Sequence, residues 1–234
     1  MSTTIQGFAK RLERLRADIA EQSLRVRTIM EAAFEAVFAR DPVRAGLVQA
    51  QDDVIDRVDV EVEKAAVALL TDATHENAKL DASQLREVLT IVKINNELER
   101  IADCAVSVAE RAAALKNTTG EVPETFRVLA NSVLGILRDA TQAYTKSDAR
   151  LAKVVLQSED AVEAFMSAIL KDAEQRIARG TMSVDFAFLL HELANEACAA
   201  ADHSTSVAEQ VLYNLTGTIV RHMEGGWVEV PRSA

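Results

Sequence analysis

Apolar residues recur along this chain at spacings of three and four, which is the period of an amphipathic α-helix. One such stripe runs from Ile5 to Phe38. Asp41 and Pro42 follow it, and these residue types are favoured at the N-cap and at the first position of a new helix. The pattern therefore predicts one helix that ends near residue 40 and a second that runs from Pro42 to about Leu70.

A polar stretch over residues 71–82 predicts the next loop. Asp81 or Ser83 is a candidate N-cap for a third helix, which we expect to reach about Lys116. The segment 117–123 (NTTGEVP) concentrates residues that form turns. We therefore place the boundary between two halves of the chain in this segment.

The second half repeats the pattern of three helices. Phe126 opens the apolar stripe of a fourth helix, and Asp148 begins a fifth that we expect to end at Gly180, where glycine favours helix termination. A sixth helix is predicted from about Val184 to about His222. Long helices joined by short loops pack side by side, so we expect an all-α fold of six long helices in two tandem, repeated up-down three-helix bundles.

The two halves also match residue by residue. Residues 96–110 (NELERIADCAVSVAE) and 195–209 (NEACAAADHSTSVAE) align without a gap and are identical at 8 of 15 positions. Further upstream, residues 52–56 (DDVID) align with residues 159–163 (EDAVE). A repeat of this kind predicts two similar sites or interaction faces. We assign residues 1–118 to the first repeat, 119–223 to the second and 224–234 to a flexible C-terminal tail.

Composition supports a helical protein and limits its partners. Glycine (8) and proline (3) are scarce, and aromatic residues make up only 4% of the chain, which leaves few turn and strand formers. The net charge of −10 disfavours nucleic acid as a partner. Two cysteines make no disulfide framework, the N-terminal segment is too charged for a signal peptide, and no apolar run is long enough to span a bilayer. We therefore expect a cytoplasmic protein without direct membrane insertion.

Carboxylates at helical spacing are the candidate chemistry of the first repeat. Glu99 and Asp103 are four residues apart, so they lie on one face of the helix, where their like charges repel unless a cation neutralises them. The neighbouring helix adds carboxylates at Asp52, Asp53 and Asp56. Such hard oxygen ligands suit Mg²⁺, Mn²⁺, Ca²⁺ or iron. Acidic pairs at this spacing are also common on any highly charged helical surface, and that ordinary interpretation stays open.

The matching residues of the second repeat form a softer candidate set. Cys198 stands in the place of Glu99, and His203 in the place of Cys104. A histidine beside an aspartate is equally compatible with an ordinary hydrogen-bonded pair. The candidate metal ligands of this second set are Asp202, His203, Glu159, Asp160 and Glu163.

No recognised catalytic motif accompanies these residues. His191-Glu192 begins like the helix of a zinc protease, but Asn195 stands where the second histidine ligand would be. The sequence has no Glu-x-x-His pair of the di-iron bundles and no glycine-rich phosphate loop. We therefore expect a protein that acts by binding partners and metal ions rather than by catalysis.

The third predicted helix carries a distinctive motif, Lys93-Ile94 followed by residues 98–103 (LERIAD). This motif resembles Leu-Glu-Arg-Ile-Gly-Asp-His, which recurs once per half in the PhoU family. The second half keeps Asp202-His203, and its ending at residues 216–222 (TGTIVRH) is also similar to the PhoU pattern. The resemblance covers nearly the whole chain in order, including the duplication and the acidic helices.

The resemblance implies a function as well as a fold. PhoU proteins are negative regulators of phosphate uptake and of the phosphate-starvation two-component response. They bind the ATP-binding subunit of the high-affinity phosphate ABC transporter and the sensor histidine kinase, which implies a place at the inner face of the membrane through these partners. The resemblance also implies a homodimer and metal ions on the acidic motifs, with iron, zinc, manganese or magnesium as the expected cofactor.

The chain departs from the family pattern in both halves. Ala102 and Cys104 replace the usual Gly and His of the first motif, and residues 197–201 (ACAAA) replace Leu-Glu-Arg-Ile-Gly in the second. We therefore carry the metal role onto the first repeat before the second. The altered second motif leaves two alternatives open, namely a divergent helical adaptor without a phosphate role and a metal-storing helical protein.

Overall fold

The structure is a computed structural model that describes residues 5–223 and 226–230, and it describes only the backbone of residues 5, 6, 159, 222, 223 and 226–230. The all-α class and the two tandem three-helix bundles are confirmed. In the first repeat the three helices pack against one another, and in the second α7 packs against the other helices. The elements of the described chain are α1 (Ile5–Ala39), α2 (Pro42–His75), α3 (Ala82–Leu115), α4 (Glu124–Lys146), α5 (Ala149–Leu156), α6 (Glu159–Ala178), α7 (Val184–Thr216), β1 (Ile219–Met223) and β2 (Gly226–Val230).

The predicted helix starts are confirmed by their capping hydrogen bonds. The side chain of Asp41 accepts a hydrogen bond from the backbone amide of Val43 at 2.9 Å. Asp81 and Gln84 form a reciprocal capping box at α3, with N–O distances of 2.8 and 3.0 Å. The side chain of Asp148 caps α5 in the same way as Asp41 caps α2. These caps satisfy amides that lack a partner in the first helical turn.

The fifth predicted helix is interrupted and forms α5 and α6. At the break the amide of Ser158 donates to the carbonyl of Val155 at 3.0 Å, and its hydroxyl donates to the carbonyl of Val154 at 3.0 Å. A backbone bond over three residues tightens the turn, and a serine hydroxyl competes for the carbonyl that the helix would use. The acidic positions 159–163 therefore lie at the start of a separate helix.

The end of the chain differs from the predicted continuous helix and flexible tail. The helix expected to reach His222 ends at Thr216, because Gly217 adopts φ 71°, a left-handed conformation that terminates helices. Residues 219–223 then pair with residues 226–230 in an antiparallel hairpin. These segments are rich in β-branched residues, which favour strands. The predicted tail is thus a strand in part, and its residues 224–225 and 231–234 lie outside the described chain.

The two repeats are joined by the packing of α3 against α7, the two helices that carry the matching motifs. Ala197, Ala200 and Ala201 are fully buried in α7. The distance between packed helices depends on the side chains at their contact, and small residues allow close approach. The altered segment 197–201 therefore has a packing role.

The connection between the repeats is held by Arg40, which follows α1. Its guanidinium donates to the carbonyl of Thr118 at 3.1 Å and to that of Gly120, and it lies 5.8 Å from the centre of the Phe186 ring. Gly120 has φ +151°, and a Cβ at this position would lie 2.8 Å from Cδ1 of Phe186. Only glycine fits there without a shift in the ring.

No helix in the described part of the chain is long and apolar enough to cross a membrane.

Candidate functional site

The predicted carboxylates of the first repeat meet where α2 packs against α3. We call this group the acidic face. The most buried member is Asp52, which is 6% exposed and whose Oδ1 atom has no hydrogen-bond partner in the described structure. A buried carboxylate oxygen without a donor is costly and is rare in folded proteins. The acidic face comprises Asp52, Asp53, Asp56, Asp59, Glu99 and Asp103.

The environment of Asp52 favours its protonated form. Burial, followed by the charges of Asp56, Asp103 and Asp53, raises the pKa of Asp52 to about 6. A cation at this position would reverse both effects, because it would supply the missing partner and neutralise the neighbouring charges. Asp52 is therefore the member of the acidic face that gains most from a bound cation.

Glu99 and Asp103 experience the same repulsion from the α3 side. Burial is the main cause of the raised pKa of Glu99, and the charges of Asp103, Asp59 and Asp56 add to it. Burial and the charge of Asp56 also raise the pKa of Asp103, whereas His203 lowers it. The carboxylates of α2 and α3 thus repel one another across the contact of the two helices, and their role as metal ligands stays a prediction.

Asn95 ties the two helices together beside this face. Its side-chain amide donates to the Oδ1 atom of Asp59 at 2.7 Å and to the Asp59 carbonyl at 3.1 Å. Asp59 was not among the predicted ligands, although its spacing from Asp52 and Asp56 places all three on one helical face. The contact restrains α2 against α3 at the level of the carboxylates.

His203, predicted with the second repeat, contacts the first. Its Nδ1 atom lies 2.8 Å from Oε2 of Glu97 on α3, and both side chains are mostly buried. Asp202 interacts instead with the two thiols, since its charge contributes to the raised pKa of Cys104 and of Cys198. The neighbours Asp202 and His203 therefore serve different contacts.

The remaining second-repeat candidates lie at the start of α6. Glu163 acts on Cys198. Burial, followed by the charges of Asp202 and Glu163, raises the pKa of Cys198 to about 11. Asp160 is exposed, and the side chain of Glu159 lies outside the described structure. The charges of Glu163 and Asp202 thus both act on the Cys198 thiol, whereas the side chain of His203 contacts Glu97.

The contact of His203 has a counterpart on the other side of the repeat. The internal alignment matches Glu97 with Glu196 and His203 with Cys104. Burial is the main cause that raises the pKa of Cys104 to about 12. The charge of Glu196 is the next largest cause, and a hydrogen bond between these side chains adds to it. Sequence reasoning missed Glu97, and the identical glutamate in both repeats was the signal that could have found it.

The donor set of the acidic face suits hard cations. Between residues 5 and 223 and in the strand 226–230, no three His, Cys, Asp or Glu side chains lie close enough together to hold a metal ion. The carboxylate oxygens nevertheless match the preference of magnesium, manganese and ferric iron, and the unpartnered Oδ1 of Asp52 offers a free ligand atom. Ligation would require carboxylates of α2 and α3 to turn towards a common ion.

Comparison with protein families matches the PhoU domain twice, over residues 19–112 and 126–211. The phosphate-specific transport system accessory protein PhoU homolog 1 of Thermotoga maritima is 27% identical over 212 residues, covering 90% of this chain and 89% of that protein. The corresponding PhoU homolog of Pseudomonas putida is 28% identical over 221 residues, covering 93% and 84%.

Solved structures show the same architecture. The crystal structure of PhoU from Pseudomonas aeruginosa has a TM-score of 0.83 and 26% identity, covering 90% of this chain and 100% of that one. The phosphate transport system regulatory protein PhoU from Streptococcus pneumoniae has a TM-score of 0.82 at 21% identity, which shows the likeness of the fold alone.

Proposed function

This chain belongs to the PhoU family, because the family domain matches both of its repeats, and from that premise we propose that it is a non-enzymatic negative regulator of phosphate uptake. Its relatives are named as accessory proteins of phosphate-specific transport, which supports a role related to phosphate transport. In this proposal the protein keeps the phosphate-starvation two-component response switched off when phosphate is ample. The double match of the family domain is the observation that carries this proposal.

The proposed mechanism is occupancy of partner proteins. In this proposal the protein is cytoplasmic and docks on the ATP-binding subunit of the phosphate ABC transporter and on the sensor histidine kinase. Docking biases these partners towards the quiet state only if the protein binds that state more tightly than the active one. Long helices packed on one core support this role, since they offer extended faces that need no rearrangement. We propose a homodimer as the working form.

We propose that the acidic face holds the metal ion of this regulator. Asp52, Asp56, Glu99 and Asp103 are the proposed ligands, with Asp53 at the edge of the group. The support is the buried, unpartnered oxygen of Asp52 and the raised pKa of Asp52, Glu99 and Asp103, which burial causes first and neighbouring negative charges increase. The ion would neutralise their repulsion and fix α2 against α3.

A phosphate-starvation reporter tests the regulatory role. In cells that lack this gene and grow in ample phosphate, the reporter should switch on, and the wild-type gene should silence it again. Purified ATP-binding subunit and kinase should also bind the protein directly. A silent reporter together with unchanged phosphate uptake would favour the divergent adaptor over a regulator.

Metal analysis of the purified full chain tests the acidic face separately. Elemental analysis and titration with Mn²⁺ or Fe³⁺ should show binding that Glu99→Gln/Asp103→Asn weakens. The matched control is Glu31→Gln/Glu35→Gln, a pair with the same spacing on α1 outside the acidic face. Equal metal content in both variants would refute the assignment, and many ions per chain would point to metal storage.

A further inference from the structure

One side of α3 is exposed and carries two leucines and two cations. Leu85 and Leu89 are 43% and 53% exposed, and Lys93 and Arg100 are exposed on the same side. Their spacings of four, four and seven residues align them along the helix. We call these four residues the outer face of α3. Together these residues offer a partner an exposed apolar contact flanked by two positive charges.

The cations of this side are not neutralised by the protein itself. Within the described residues, no carboxylate lies within ion-pair distance of Arg86, Lys93 or Arg100, although the adjacent Glu99 feels the charge of Arg100. Arg86 and Lys93 lie instead 6.0 and 5.7 Å from the centre of the Tyr213 ring.

The contact of α3 with α7 positions the side chains of Arg86 and Lys93. The Nε atom of Arg86 donates to the carbonyl of Asn214 at 3.1 Å, and the Tyr213 ring beside it contacts both Arg86 and Lys93, of which Lys93 belongs to the outer face. Cations held over an aromatic ring keep their charge available to a partner. Lys93 is therefore held in place before binding, which lowers the ordering cost of this one side chain.

We propose that the outer face of α3 is the docking surface for an acidic amphipathic helix of a partner protein. The leucines would take the apolar stripe of that helix, and Lys93 and Arg100 would pair with its carboxylates. From Leu85 to Arg100 the face is about 22 Å long, which matches a partner helix of about four turns. The proposal rests on the proposed function, because it names the chemistry of the partner that the regulator binds.

Charge also decides where the partner docks and in which register. The net charge of −10 disfavours an acidic helix on the surface as a whole, so docking requires a face that presents cations, as this one does. The carboxylate of Asp103 follows Arg100 by three residues and marks the end at which further acidic residues of the partner would be repelled. The acidic stretch of the partner should therefore lie over Lys93 and Arg100 and stop before the acidic face.

Fluorescence anisotropy with the full chain tests this surface. The probe is a labelled synthetic helical peptide of about 18 residues with leucines on one face and glutamates beside them, and the charge control replaces each glutamate by lysine. We expect the acidic peptide to bind the wild type, and Lys93→Glu/Arg100→Glu to weaken binding by about tenfold or more. Leu89→Gln should weaken it as well, whereas Arg150→Glu/Lys153→Glu, a cation pair on α5, should not.

Several outcomes would overturn the proposal. No binding of the acidic peptide, equal binding to both charge-reversal variants, or equal binding of the lysine peptide would each do so. If sedimentation shows that Lys93→Glu/Arg100→Glu changes the oligomeric mass while peptide binding is absent, the face joins two copies of this chain instead. Failure here with an intact reporter response would leave the regulatory function standing, and a silent reporter with face-dependent peptide binding would refute that function alone.

Discussion

The Nδ1 atom of His203 on α7 lies 2.8 Å from the Oε2 atom of Glu97 on α3. The internal repeat matches His203 with Cys104 and Glu97 with Glu196. The interface of α3 and α7 therefore contains a second, related pair in which a thiol replaces the imidazole. Because α3 and α7 hold the two repeats together, these contacts lie at the interface between the repeats.

Removal of either side chain of the Glu97–His203 pair should destabilise the interface between the repeats. We expect Glu97→Ala and His203→Ala each to lower the free energy of unfolding by about 1–2 kcal/mol, since the hydrogen bond is mostly buried. In a double-mutant cycle measured by denaturant unfolding, the coupling should be about 1 kcal/mol. The control cycle uses Glu61→Ala and His75→Ala, two exposed positions on α2, and should be additive. Additivity for Glu97 and His203 would show that the contact contributes nothing.

A side chain at position 120 should destabilise the protein. Gly120→Ala would place a methyl group 2.8 Å from the Phe186 ring at a positive φ, so we expect a loss of about 1–3 kcal/mol in thermal or denaturant unfolding. Gly135→Ala is the matched control, because its Cβ meets no atom within 4 Å inside α4. That variant should gain about 0.5–1 kcal/mol. Equal effects at both positions would contradict the fit of Gly120 against Phe186.

Asp52 should make the metal-free protein more stable as the pH falls. Its folded pKa of about 6 lies above the unfolded value of about 4, so the folded state binds the proton first. Stability should therefore rise between about pH 7 and pH 4, and Asp52→Asn should reduce this rise. At pH 7 the variant should be more stable by about 1–2 kcal/mol in the presence of a chelator, with the difference vanishing below about pH 4. Denaturant unfolding across this range provides the measurement, and a lower stability of the variant at pH 7 would contradict it.

The two thiols should react slowly and in a fixed order. Cys104 is 6% exposed, and burial with nearby carboxylates raises its pKa to about 12, while Cys198 is less buried and has a pKa raised to about 11. Since the thiolate is the nucleophile, both should alkylate far more slowly at pH 8 than free cysteine. Peptide mass spectrometry after iodoacetamide treatment should find Cys198 modified first, and urea should remove the difference. Faster reaction of Cys104 in the folded protein would be inconsistent with its burial.

Local signals account for the parts of the fold that were predicted well. Asp41, Asp81 and Asp148 cap their helices as expected, because capping depends on a few neighbouring residues and the backbone amides beside them. The break after α5 was missed, because Ser158 is compatible with a continuous helix and only its hydrogen bonds show the interruption. The strands after Gly217 were missed for a related reason, since a hairpin forms through pairing between two segments.

The acidic face shows both what the chain alone determines and what its packing decides. Periodicity places Glu99 with Asp103, and Asp52 with Asp56, on single helical faces, and this follows from the geometry of one helix. The sequence grouped His203 with Asp202 because they are adjacent, yet neighbouring helical residues point in directions about 100° apart. Only the crossing of α3 and α7 directs His203 to Glu97 and leaves Asp202 beside the thiols. Burial of the Asp52 oxygen likewise arises between two helices, so no pattern within one helix could reveal it.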